Sequence, residues 1–89
     1  MSVKVQVSPY LKQYTDNQQE IYLNEGTVAQ CLSCLTERFP QLGKWFASTG
    51  NAFDYITVHV NAMGIYPEEL DRRLNDGDEV TIIVPYPGG

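Results

Sequence analysis

Asn75-Asp76-Gly77-Asp78-Glu79-Val80-Thr81-Ile82-Ile83-Val84-Pro85-Tyr86-Pro87-Gly88-Gly89 is the stretch around which the chain is organised. It begins as a turn, because Gly77 takes positive φ at no steric cost. Residues 80–84 are apolar or β-branched throughout and read as a strand. Pro85 and Pro87 then remove backbone donors and fix φ, so a regular sheet cannot continue past them. Each proline also holds the residue before it extended, here Val84 and Tyr86. Gly88 and Gly89 end the sequence without side chains. The stretch is suited to projecting a slim C-terminal carboxylate away from a folded body, which gives residues 1–84 as the domain and residues 85–89 as an extended flexible tail.

Outward from this strand, the remaining elements follow from periodicity. Val3, Val5 and Val7 alternate with Lys4 and Gln6 and make a first strand. Ser8-Pro9 ends it, and Tyr10, Leu11 and Tyr14 fold back on the core edge. Thr15-Asp16-Asn17 is a turn cluster, and Ile21 and Leu23 mark the apolar side of a second strand. Thr27 and Gln30 have the spacing of a capping box. After them Val28, Cys31, Leu32, Leu35 and Phe39 share one face of a helix that Pro40 stops. Leu42, Trp45 and Phe46 suit one short helical turn, followed by a loop at residues 48–51. Ile56, Val58 and Val60 alternate with Thr57 and His59 as a third strand. Residues 61–66 bend, with room for a short edge strand. Residues 67–74 hold a helical turn with Leu70 and Leu74 inward. A hairpin, a crossing helix and further strands make an α+β roll, a mixed sheet with one main helix packed on one face. The expected core is Val5, Val7, Val28, Leu32, Leu35, Ile56, Val58, Val80 and Ile82.

Composition narrows the function. Eighty-nine residues make one small domain, able to bury roughly 60–65% of its unfolded surface. No stretch approaches the ~20 apolar residues of a membrane span, and residues 1–5 alternate instead of forming a signal-peptide core. A cytoplasmic monomer is expected. The net charge is −5 and the basic residues are scattered, so nucleic acid and anionic membrane are poor partners. An acidic body is steered towards a positive protein surface.

Candidate chemistry within the domain is sparse. Cys31-Leu32-Ser33-Cys34 is a C-x-x-C, but it falls in the second turn of the helix, not at a strand-to-helix junction. A structural zinc site needs four ligands, and no second pair exists. Cys31 reads as a small core residue and Cys34 as a flank residue. His59, the only histidine, sits opposite Val58 and Val60 with no nucleophile to serve. The acidic groups at 68–71 and 76–79 lack calcium-loop spacing. If Val80, Ile82 and Val84 face the helix, Thr81 and Ile83 point to the other face. Ile83 with Tyr86 then forms an apolar spot beside the tail, a candidate partner contact. No metal site and no bound cofactor are expected.

At its C-terminal end the chain resembles the ThiS/MoaD family of ubiquitin-like sulfur carriers, including the MoaD-like carriers of the cysteine-synthesis type. The motif is carried by Asp76, Gly77, Asp78, Glu79, Val80, Pro85, Gly88 and Gly89, and residues 56–61 resemble the family's central strand. The resemblance implies a β-grasp fold and a protein that is not itself an enzyme. It implies that an adenylating enzyme activates the Gly89 carboxylate with ATP, that a sulfur donor converts it to a thiocarboxylate, and that a sulfur-accepting synthase receives the sulfur. Gly88 and Gly89 are then the reactive end, and Ile83, Pro85, Tyr86 and Pro87 the partner-binding residues. Molybdopterin and cysteine or related thiol amino-acid synthesis both stand as destinations. A ubiquitin-like modifier conjugated to lysines uses the same end, and a plain interaction module with an inert tail is the third reading.

Overall fold

The computed structural model describes residues 2–48 and 56–84. The expectations for Pro85, Tyr86, Pro87, Gly88 and Gly89, and for the loop after residue 48, lie outside the described residues. The elements are β1 (Val3–Val7), a 3-10 segment (Pro9–Tyr14), β2 (Glu20–Leu23), α1 (Val28–Arg38), α2 (Pro40–Ser48), β3 (Thr57–Val60), β4 (Met63–Ile65), a 3-10 turn (Pro67–Glu69) and β5 (Glu79–Ile83). The strands form one mixed sheet in the order β2-β1-β5-β3-β4. β5 lies at its centre, parallel to β1 (Val5 opposite Val80) and antiparallel to β3 (Val60 opposite Val80).

The alternation of the strands is borne out. Val3, Val5, Val7, Ile21, Leu23, Val58, Val60, Val80, Ile82 and Val84 are buried on the helical face, while Lys4, Gln6, Tyr22, Thr57, His59, Thr81 and Ile83 keep exposure on the other. Thr27 caps α1, its hydroxyl accepting from the Gln30 N–H at 3.1 Å. The reciprocal bond of the capping box runs from the Gly26 N–H to the Gln30 side chain at 3.1 Å, one residue earlier than expected. Two further donors at this helix start are taken by the segment before β5: Ala29 N–H by the Leu70 carbonyl at 2.9 Å and Val28 N–H by the Arg72 carbonyl at 3.4 Å.

Two expectations need correction. Leu32 is only partly buried against the core, whereas Val28, Cys31 and Leu35 are fully enclosed. The buried line of α1 thus runs along positions 28, 31 and 35, with Leu32 at its margin. The single helical turn after Pro40 is a nine-residue helix. Proline stops α1 but suits the first turn of the next helix, where its missing N–H costs nothing. Leu42 is buried beneath α2, and a Cβ at Gly43 would stand 3.4 Å from the Thr36 carbonyl, so the glycine permits close approach to α1. α2 therefore packs beside the main helix α1 and on the Pro9–Tyr14 segment. The expected turn in residues 67–74 is present as a 3-10 turn at Pro67–Glu69, with Leu74 buried and Leu70 partly buried against the core.

Large-to-small changes in a packed core cost about 2–5 kcal/mol for leucine. Leu35→Ala should fall in that range and Leu32→Ala clearly below it, measured as ΔΔG from urea midpoints at constant m-value. Equal losses would move the buried line of the helix back onto Leu32.

Candidate functional site at the end of the central strand

The motif turn before β5 is a clamp. Gly77 adopts φ +87°, a conformation open to glycine. Its N–H donates to the Ser2 carbonyl at 2.8 Å, and the Asp76 carboxylate accepts from the Ser2 N–H at 2.7 Å. The Asp78 carboxylate accepts from the Asn75 N–H at 2.8 Å and from the Asn61 side-chain amide at 3.0 Å. These donors, first the Asn75 N–H and then Asn61, hold its pKa below the ordinary carboxylate value. Asn61 in turn accepts from the Glu79 N–H at 2.9 Å. Asn61 and Ala62 both have positive φ, 51° and 70°, as the tight turn between β3 and β4 requires. The acidic motif thus ties the N-terminal strand, the β3–β4 turn and the start of β5 together. Its carboxylates are spent on backbone and amide donors.

At the other end β5 leaves the sheet. Ile83 lies on the open face, half-buried and opposite Thr57. The register that sets Val58 opposite Ile65 would place Tyr66 opposite Thr57, and Tyr66 is exposed. The next row holds Gln6, Thr81 and His59, with the His59 imidazole beside Gly64. A cleft of about 300 Å³ opens between the ends of β1 and β5, with Gln6, Ser8, Thr81 and Ile83 in its lining. Further down, Lys4 sits between Glu20 at 3.6 Å and Glu79 at 3.5 Å. Glu20 raises its pKa most, desolvation opposes that rise, and Glu79 adds to it. The open face therefore grades from an ion-paired row near the clamp to an apolar and polar row at the strand end. Of the partner-binding residues expected from sequence, Ile83 is at this end, while Pro85, Tyr86 and Pro87 lie outside the described residues. Thr57 and Tyr66 were missed, because Thr57 comes beside Ile83 only through the β3–β5 pairing and Tyr66 follows β4 one strand further out.

No group of His, Cys, Asp and Glu side chains among the described residues is arranged to hold a metal ion. Among them no helix is long and apolar enough to cross a membrane. Cys31 is fully buried and Cys34 partly so. Burial, helped by the nearby Glu25, pushes the Cys31 thiol up to about 11. The thiolate is the reactive form, so iodoacetamide at pH 8 should label only Cys34 in the folded protein and both thiols in denaturant, counted by intact mass. Rapid native labelling of Cys31 would contradict its place in the core.

The sequence model of the ThiS family matches residues 5–89. No curated protein sequence matches the chain. Among solved structures, the chain is similar to small archaeal modifier protein 1 from Methanosarcina acetivorans, at 26% identity over 99% of this chain and 96% of that one, with a TM-score of 0.79. It is also similar to a chain of the Amycolatopsis orientalis BexX/CysO complex, at 22% identity over 98% and 99%, with a TM-score of 0.79. A chain of the complex of subunits 1 and 2 of the molybdopterin-converting factor from Helicobacter pylori matches at 19% identity over 100% of both, with a TM-score of 0.66. These share the ubiquitin-like β-grasp fold. With the family's pattern spanning all but the first four residues, and the clamp, the central strand and the diglycine end in place, the chain belongs to the ThiS family.

Proposed function

We propose that this protein is a sulfur carrier and that its reactive group is the Gly89 carboxylate. The observation that carries this reading is the family match running through the last residue, on a chain whose side chains offer no competing chemistry. A carboxylate is a poor electrophile until a good leaving group is attached. In the proposed cycle it attacks the α-phosphorus of ATP in an adenylating partner, expelling pyrophosphate and leaving an acyl adenylate. Sulfide from a donor then attacks the acyl carbon, AMP departs, and Gly89 carries a thiocarboxylate. A synthase consumes it, returning the carboxylate. The carrier acts as a protein cosubstrate; ATP is bound by the partner.

The role of each residue follows from its position. β5 is held in the sheet centre, so its end is a fixed root for the tail. Five residues follow Val84, and a chain that long reaches at most about 17 Å, so the partner's active site must come close to the Ile83 end of the sheet. Ile83 with Pro85, Tyr86 and Pro87 is the expected contact. Gly88 and Gly89 allow entry into a narrow channel, and a side chain at 89 would crowd the adenylated carbon. The receiving synthase makes molybdopterin or cysteine, and the proteins that co-purify with the carrier identify which. A second reading, conjugation to lysines as a protein modifier, is favoured by the likeness to an archaeal modifier protein.

Intact mass spectrometry of protein taken from its own cells should show an oxygen-to-sulfur exchange on the C-terminal peptide, and deletion of Gly89 should abolish it. An isopeptide bond from Gly89 to a lysine of another protein would select the modifier; neither product would leave the inert interaction module. Ile83→Asp should weaken binding of the activating partner at least tenfold, a change of about 1.4 kcal/mol, with Tm nearly unchanged because Ile83 is on the open face. Parallel loss of Tm would make Ile83 a core residue.

A further inference from the structure

A second surface stands at the same end of the fold on its helical side. β1 runs parallel to β5 with Val7 opposite Ile82, and the Ser8 N–H donates to the Ile82 carbonyl at 2.8 Å. The 3-10 segment Pro9–Tyr14 therefore starts where β5 leaves the sheet. α2 packs on this segment and on α1. Here the rings of Tyr14 and Trp45 lie 6.2 Å apart between centroids, and those of Trp45 and Phe46 lie 5.5 Å apart. All three are only partly buried. A cleft of about 430 Å³ is lined by Tyr14, Gln41, Lys44 and Trp45. A neighbouring one of about 340 Å³ shares Tyr14, Gln41 and Lys44 and adds Arg38 and Asp16.

The charge here runs against that of the chain. The sequence has 6 basic and 11 acidic residues, yet Arg38 and Lys44 line these clefts with Asp16 as the one acid. Both cations are exposed, and neither has an ion-pair partner among the described residues. Exposed tyrosine, tryptophan and arginine are the side chains that most often carry binding energy. Two cations on an aromatic floor complement a carboxylate-bearing segment, and arginine can grip a carboxylate through two parallel bonds.

Resting on the reading of this chain as the substrate of an adenylating partner, we propose that the cleft between α2 and the Pro9–Tyr14 segment is a second docking surface, which receives an acidic loop or helix of that partner. The argument for this occupant is charge complementarity, together with the cleft's position at the end of the fold that the tail's short reach obliges the partner to approach. The open face around Ile83 and the α2 cleft then grip the partner from two sides of the tail root.

Trp45 is the only tryptophan, so the full chain labelled with 5-fluorotryptophan gives one fluorine resonance at this cleft. Titration with the unlabelled adenylating enzyme, without ATP, should shift that resonance saturably. An Arg38→Glu/Lys44→Glu variant with unchanged Tm should need about tenfold more partner, as loss of a close charge pair predicts, and Arg38→Lys/Lys44→Arg should bind nearly as the parent does. A resonance that stays put while the same enzyme charges Gly89 in the presence of ATP would overturn the proposal and leave the aromatic cluster as packing. A shift produced by ATP alone would make this a nucleotide site, and one that follows the chain's own concentration a self-association surface; either would overturn it too. If the parent chain is not charged at all, the carrier reading fails and this proposal with it.

Discussion

The parallel pairing of β1 with β5 is the constraint from which the rest of the molecule follows. A parallel pair cannot be closed by a hairpin and needs a crossover. Here nearly everything between Val7 and Glu79 is that crossover: a hairpin partner, two helices and a second hairpin. The pairing puts the ends of β1 and β5 at the same edge of the fold. The 3-10 segment, the cleft beside Ile83 and the point where the chain leaves the sheet are thereby gathered together. Because β5 is also flanked by β3, its buried Val80 and Ile82 cannot be exposed without dismantling the core. In the proposed function the reactive end needs freedom, but its root has to be rigid for a partner to find it. Placing the last strand in the centre of the sheet meets both requirements within a few residues.

The two faces at this edge differ in kind. On the open face, burial is partial and the polar pairs lie towards the clamp, where Lys4 bridges Glu20 and Glu79. Such exposed pairs contribute little to stability, and the exposed Tyr22 and half-buried Ile83 give the face its apolar character. On the helical face, α2 brings Trp45, Phe46 and Lys44 to the surface beside Arg38 at the end of α1. The second helix is thus more than a lid over Leu42. It gives an acidic chain a local patch of opposite sign, and patches of this kind influence partner choice and encounter rate more than raw affinity.

Much of the fold was legible in the sequence because its strands alternate strictly and one face is solvated, the situation in which period two is most informative. Val80, Ile82 and Val84 against Thr81 and Ile83 were placed on the correct faces by alternation alone. The capping pair Thr27 and Gln30 marked the helix start to the residue. Sheet order was not legible, since nothing local states that β5 inserts between β1 and β3. Tyr66 went unnoticed for the same reason: its neighbour Thr57 is reached through strand pairing and not along the chain. Leu32 was misplaced because a helical period of 3.6 leaves positions 31, 32 and 35 all near one face. The structure chose Cys31, the smaller side chain, for the interior. The length of α2 was underestimated because Pro40 was read only as a stop, although proline is equally at home in a first helical turn.

The motif by which the family is recognised is structural in this chain, and the proposed chemistry has no structural constraint upon it. Asp76, Gly77 and Asp78 are fixed by bonds to Ser2, Asn75 and Asn61, so their role here is to hold the strand arrangement. The diglycine, by contrast, follows the last described strand in the sequence. The two parts of the signature therefore carry independent information. The clamp reports that the fold is built, while the end of the tail reports whether the fold is used for acyl activation. A β-grasp domain that kept the clamp and lost its last glycine would retain its stability and its partner-facing surface. Under the proposed function it would become a competitor for the adenylating enzyme and cease to be its substrate.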